Sequence, residues 1–160
     1  MRDRMDMSGR LRLVLTDRAG TIVLDRTQGN RIVSTGRRLV AEMFAGQTSG
    51  PPRTPVSAIA VGTGGTEPQD GDTVLAAPRG DPKGISKVDY STFTDPATSV
   101  ARMRVQLTAQ LDFGEANDPS TPLREAGLFN ADNVLYSRVV FKDVTKTDTF
   151  QLTLIWEIVF

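Results

Sequence analysis

The last eleven residues, FQLTLIWEIVF (150–160), decide the fold that this sequence predicts. Large apolar side chains occupy every second position of the stretch: Phe150, Leu152, Leu154, Trp156, Ile158 and Phe160. A strand sends successive side chains to opposite faces, so this spacing places all six on one side, whereas a helix would scatter them. Burying six such groups stabilises a fold by roughly 9–18 kcal/mol before opposing terms are counted. The stretch therefore predicts a strand that packs in the chain's own core or against another subunit.

Alternation of apolar and polar residues predicts further strands upstream. The clearest is 101–111, in which Met103, Val105, Leu107, Ala109 and Leu111 share one face. Other predicted strands are 11–15 and 21–24, which form a hairpin, then 56–61, 85–93, 123–130 and 134–141. In 85–93, we expect Val88, Tyr90 and Thr92 to point inward. Residues 76–84, with two prolines and two glycines, are predicted to form a loop.

One amphipathic helix is predicted between the second and third strands. Leu39, Val40, Met43 and Phe44 form its apolar stripe, Ser34 or Thr35 is the expected cap, and Gly46 is the expected stop. Short strands, frequent turns and one helix favour an antiparallel arrangement over parallel βαβ units. The predicted fold is mainly β: an antiparallel β-sandwich or barrel of about seven to eight strands. It comprises one domain, residues 10–160, after a flexible N-terminal arm, residues 1–9.

Composition narrows the classes of function. The 160 residues carry 19 basic and 19 acidic side chains, and this balance predicts neither a nucleic-acid partner nor a membrane surface. The sequence has no cysteine and no histidine, so thiolate metal sites and ordinary Ser–His triads are excluded. No apolar run approaches the ~20 residues of a membrane helix. We expect a protein made in the cytoplasm that is not an enzyme, with no cofactor and no small-molecule substrate.

Two loops resemble ligand sites and fail closer inspection. The Gly-rich loop 62–66 (GTGGT) lacks the Lys-Ser/Thr that a phosphate-binding loop needs, so a tight strand exit is the favoured interpretation. Asp112, Glu115, Asn117 and Asp118 offer oxygen ligands, but their spacing does not match a calcium loop, which favours a solvated acidic turn.

Two pairs of residues are candidates for subunit contacts. Arg102 and Arg104 lie on the polar face of the strand 101–111, which is either solvated or an interface. Trp156 and Phe160 lie on the final strand, where core and interface are both open.

Four different segments, in a fixed order along residues 30–160, form a pattern. They are NRIV (30–33) with GRRLV (36–40) and FAG (44–46); IAVGTGGT (59–66) with Pro68 and DTVL (72–75); REAGLFN (124–130); and LYSRVVF (135–141) with Lys146 and the final strand. In this order and spacing they resemble a family of bacteriophage tail, tail-fibre and baseplate structural proteins and those of related contractile injection systems. The segment before residue 30 is less typical of that family.

The resemblance implies a non-enzymatic virion component, made in the host cytoplasm, on a tail, baseplate, fibre-attachment or capsid surface. Its expected partners are copies of itself, in a symmetric homo-oligomer, and other virion structural proteins. Glu125, beside Gly127, is expected to be structural, with Arg124 or Arg138 as its partner. These three residues are further candidates for assembly contacts. The alternative is a host-surface or glycan-binding β-sandwich module, which exposed aromatic residues near loops 62–66 or 112–121 would favour.

Overall fold

The 150–160 alternation forms a strand, as predicted, and this strand lies at the centre of a five-stranded sheet. The computed structural model describes residues 7–160; residues 1–6, within the predicted N-terminal arm, lie outside the described part. The elements are β1 (Ser8–Asp17), β2 (Ile22–Gly29), β3 (Arg31–Ile32), α1 (Ser34–Ala45), β4 (Val56–Gly62), β5 (Pro78–Gly84), β6 (Lys87–Thr94), β7 (Ala101–Leu111), β8 (Leu123–Asn130), β9 (Leu135–Val144) and β10 (Phe150–Val159). β1 thus begins two residues before the predicted domain boundary. No helix among residues 7–160 is long and apolar enough to cross a membrane.

Two antiparallel sheets pack face to face, which confirms the predicted β-sandwich. The two sheets do not close into a barrel, the alternative that the sequence left open. Sheet A has the order β2-β1-β10-β7-β6 and sheet B the order β3-β9-β8-β4-β5. The described chain holds ten strands, two more than predicted, because β3 and β5 were not expected. The loop predicted for residues 76–84 is wrong from Pro78 onward, where β5 begins. β5 is an edge strand, whose free side tolerates the glycines and prolines of that segment.

β10 supplies the core of sheet A. Trp156 is fully buried between Leu11 of β1 and Leu107 of β7, its partners in the two ladders. Leu152, Leu154 and Ile158 are buried on the same face, as the alternation predicted. The last apolar position differs, because Phe160 lies at the open end of the sandwich and is 41% exposed.

The helix ends where the sequence predicted, but it begins one or two residues earlier than a cap at Ser34 or Thr35 implies. Val33 occupies the cap position, and no side chain within residues 7–160 caps the helix. The Thr35 hydroxyl instead donates a hydrogen bond to the Leu135 carbonyl oxygen, which ties α1 to β9. Gly46, with a φ of 76°, ends the helix as predicted.

The predicted apolar stripe of α1 is only half covered. Leu39 is buried and Val40 is partly buried, whereas Met43 is 48% exposed and Phe44 is 93% exposed. The prediction that Phe44 points inward is therefore wrong.

The predicted inward face of β6 is also wrong. Val88 and Tyr90 are 46% and 72% exposed, and Thr92 is exposed as well. β6 is the last strand of sheet A, and both of its faces reach solvent. Alternation identified the residues that share a face, but the strand order leaves that face uncovered.

Candidate functional site: a polar hub and an apolar mouth

A fully buried carboxylate organises sheet B. Glu125, on β8, accepts hydrogen bonds from three backbone amides: Gly64 N at 3.1 Å, Ala76 N at 3.0 Å and Ala77 N at 2.7 Å. These amides belong to the irregular segment between β4 and β5. One side chain therefore fixes both ends of that segment.

Arg138, on β9, neutralises this carboxylate. Its Nε donates to Glu125 Oε2 at 2.9 Å, and its Nη2 lies 2.8 Å from the same oxygen, off the line that a hydrogen bond requires. Its Nη1 donates to Asp72 Oδ2 at 2.9 Å. We call Glu125, Arg138 and Asp72 the polar hub. Because removing one partner of a buried ion pair strands the other charge, the three side chains act as a unit.

The hub also determines the protonation of Asp72. Burial by itself would raise the pKa of this carboxyl. The Gln69 amide and Arg138 donate hydrogen bonds to it, and these outweigh burial, so the pKa of Asp72 lies below its ordinary value.

Glycines of the loop 62–66 make room for the hub. A Cβ on Gly64 would lie 2.6 Å from Glu125 Oε1, and a Cβ on Gly62 would overlap the Ala77 carbonyl oxygen. The Gly-rich loop is therefore a strand exit that lets backbone approach a carboxylate, in line with the favoured interpretation.

Of the two partners predicted for Glu125, the structure selects Arg138. Both side chains are buried, so the expectation that they contact another subunit directly is wrong. Arg124 points to the other side of β8 and pairs with Asp143 at 2.7 Å, with both side chains about half exposed. Such exposed pairs contribute little to stability, so Arg124 is the natural comparison for Arg138.

The loop 112–121 binds the ammonium group of a lysine from the same chain. The fully buried Lys146 donates through Nζ to Asp112 O, Asn117 Oδ1 and Thr147 O, each between 2.8 and 3.1 Å. Burial lowers the pKa of this amine. The sequence does not indicate this role, because a lysine in a polar segment carries no signal of burial. No cluster of metal-ligating side chains is found among residues 7–160.

The polar face of sheet A carries ion pairs. Arg102 donates to Asp95 at 3.1 Å, and Arg104 lies 3.5 Å from Glu157 and stacks over the Phe93 ring. Both arginines thus have carboxylate partners within the chain, as expected for a polar strand face.

At one end of the sandwich the two sheets separate into an apolar groove of about 370 Å³. Leu128 of β8 and Ile158 of β10 lie in its floor, and α1 forms a third wall. Its rim consists of Met43, Tyr90, Met103 and Phe160, which are between 41% and 72% exposed. We call the groove with these four residues the apolar mouth.

The apolar mouth contains one of the predicted interface residues. Phe160 lies on its rim, whereas Trp156 is fully buried in the core, which excludes a direct contact between Trp156 and another subunit. Tyr90 and Met103 were missed as surface residues, because their alternation predicted burial. Met43 was missed for the same reason on the helix.

No family model, no curated protein and no solved structure matches this chain.

Proposed function

We propose that this chain is a non-enzymatic structural component of a phage or phage-like particle, on a tail, baseplate, fibre-attachment or capsid surface. In this proposal it assembles as a symmetric homo-oligomer beside other virion proteins. The apolar mouth is the observation that carries the assembly role.

The apolar mouth has the properties of a contact surface. Two methionines and two aromatic side chains surround an apolar groove, and these residue types are enriched at protein interfaces. Exposed apolar residues are common singly, but a groove with a continuous apolar rim marks a site of interaction. If another protein covered the apolar mouth, burial of its apolar surface would stabilise the complex.

The residues that carry the family resemblance have structural work in this fold. Glu125 and Arg138 form the polar hub, and Gly62 and Gly64 give it room. Gly36 lets α1 touch β9, since a Cβ there would overlap the Tyr136 carbonyl oxygen. The segments that resemble the family thus contain residues that a shared sandwich fold would need. This supports a resemblance in fold.

The glycan-binding alternative has no specific observation in its favour. Loop 62–66 has no aromatic residue, and the aromatic residue of loop 112–121, Phe113, lies under the Arg18 guanidinium at 4.3 Å. We therefore advance the assembly role alone.

The test is a particle proteome combined with one surface variant. We expect the chain at fixed stoichiometry in purified particles, and we expect Met103→Glu to remove it from them without lowering the melting temperature, because Met103 is already 42% exposed. Val23→Glu, at a 51% exposed apolar residue on β2 outside the mouth, is the matched control and should still be incorporated. Absence of the wild-type chain from particles would refute the proposal.

A further inference from the structure

We propose that β6 pairs antiparallel with β6 of a second copy, about a two-fold axis through Tyr90, so that sheet A continues across the two copies. This inference names the contact that the proposed self-assembly uses and rests on it. It is carried by the state of the sheet edges, the direction of the β6 amides and the residues that a two-fold axis would oppose.

Three of the four sheet edges are protected against pairing. β3 has two residues, and β5 contains Pro82 and a glycine, Gly80, at a φ of 68°. The β1–β2 ladder has a register shift, and Arg26 of β2 donates to the Lys142 and Asp143 carbonyl oxygens of β9, across to the other sheet. Short strands, prolines, bulges and covered edges are the usual protections against edge-to-edge pairing.

β6 lacks these protections. It is eight residues long, has no proline or glycine, and pairs with β7 without a register shift. Within residues 7–160 no strand pairs with its outer side. Its two charged residues, Lys87 and Asp89, neutralise each other at 3.0 Å. The outer edge of β6 is therefore open to another strand.

The β6 amides point in the direction that pairing requires. Met103 and Phe160 exchange both backbone hydrogen bonds, so Met103 faces β10 and its neighbours Arg102 and Arg104 face β6. Those two residues lie opposite Phe93 and Ser91. By the alternation of an antiparallel ladder, the backbone groups of Val88, Tyr90 and Thr92 point away from β7, toward the open side.

A two-fold axis between the two copies of Tyr90 places compatible side chains opposite each other. Residues directly opposite in an antiparallel pair lie on the same face of the sheet, so the axis has to pass through a residue. With Tyr90 on the axis, Val88 meets Thr92 of the other copy, and Asp89 meets Ser91. An axis through Asp89 would instead bring two carboxylates together, which is unfavourable.

A second copy fits this edge better than a charged partner does. The chain has no net charge, so copies do not repel at long range. Tyr90 lies on the rim of the apolar mouth. Pairing at β6 places the second copy beside this rim, so it also reduces the apolar area that is exposed to solvent. One strand pair makes a small interface, and we expect a reversible dimer.

Cysteine substitution tests the register, because the chain has no cysteine of its own. Tyr90→Cys should form a disulfide-linked dimer under mild oxidation, since opposite Cα atoms of a hydrogen-bonded pair lie about 5.5 Å apart. Val88→Cys alone should not, because the two copies of residue 88 would be separated by roughly 14 Å along the strand. Val88→Cys combined with Thr92→Cys should crosslink again, and Val23→Cys on the protected β2 edge is the control for random collisions.

Sedimentation provides the second measurement, on chains without cysteine. The wild type should show a mass that rises with concentration, and Tyr90→Lys, which places two ammonium groups on the axis, should weaken the dimer at least about tenfold. Val23→Lys should leave the dimer unchanged. Tyr90 is 72% exposed, so its substitution leaves the core intact.

The outcomes separate this inference from the proposed function. An oligomer that neither crosslinks through residue 90 nor responds to Tyr90→Lys overturns the pairing and leaves the particle role standing. Crosslinking by Val88→Cys alone overturns the Tyr90 axis. A chain that is monomeric at every concentration overturns the pairing with a second copy. If Tyr90→Lys then still drops out of particles, the edge binds another virion protein.

Discussion

Removal of the Glu125 carboxylate should lower the free energy of unfolding of this protein by a large part of its total. Glu125→Ala would leave the buried Arg138 with Asp72 as its remaining carboxylate partner. It would also leave the amides of Gly64, Ala76 and Ala77 without their acceptor. Breaking a buried ion pair from one side destabilises a fold by about 3–5 kcal/mol, and each stranded buried amide adds about 1–3 kcal/mol. Water entering the space would relieve part of this sum, so we expect a loss of at least about 4 kcal/mol, from a total of about 5–15 kcal/mol typical of a domain.

Urea denaturation followed by tryptophan fluorescence is the appropriate assay. The chain has one tryptophan, Trp156, and it is fully buried, so its emission reports global unfolding. Glu125→Gln, which keeps the shape and one acceptor oxygen, should lie between the wild type and Glu125→Ala. Arg124→Ala, at the neighbouring exposed residue, is the control and should change the midpoint little. A Glu125→Ala midpoint as close to the wild type as that of Arg124→Ala would refute the role of the polar hub.

Three further predictions follow from backbone contact and from pKa. Gly36→Ala should lower the melting temperature, although the same change in an open helix stabilises by about 0.4–1 kcal/mol, because its Cβ would overlap the Tyr136 carbonyl oxygen; Gly29→Ala, whose Cβ meets nothing within 4 Å, is the control. Burial raises the pKa of Tyr136 to about 12, so in Tyr90→Phe, where Tyr136 is the remaining tyrosine, phenolate absorbance should titrate near that pH. Since an unfolded tyrosine titrates near 10.0, this group's contribution to stability should be lost as the pH rises through about 12. The pKa of Asp72 lies below its ordinary 3.8, so its contribution is complete above that pH and lost as the pH falls through the lower folded value; Asp72→Asn should show a weaker acid dependence in pH-dependent urea melts.

Each of these expectations has a contradicting result. A Gly36→Ala protein at least as stable as Gly29→Ala would mean that α1 does not press on β9. A Tyr136 midpoint near 10 would mean that its ring is not buried. Identical acid dependence with and without the Asp72 carboxyl would remove Asp72 from the polar hub.

The sequence predicted the sandwich because period-two alternation is a local property. The alternation of β10 and β7 identifies the faces of Trp156 and Leu107 without knowledge of neighbouring strands. Whether a face is covered depends on strand order, which alternation does not encode. Tyr90 and Met103 therefore look like core residues in the sequence and lie on the rim of the mouth in the structure.

The sequence predicted the polar hub only in part. It indicated that Glu125 pairs with Arg124 or Arg138, and the structure decides between the two arginines. Asp72 joins them from a loop more than 50 residues away along the chain, and no local pattern places it there. Lys146 was missed for the same reason, since its three oxygen partners come from the backbone and from another loop.

Hydrogen exchange at β6 tests the assembly claim most directly. Amide exchange should be compared at about 1 µM and at about 1 mM protein, a range that spans weak association. We predict that the outward amides of Val88, Tyr90 and Thr92 exchange more slowly at the higher concentration, while the protected edge β2 shows no change. Equal exchange of β6 at both concentrations would contradict the claim that this edge joins copies of the chain.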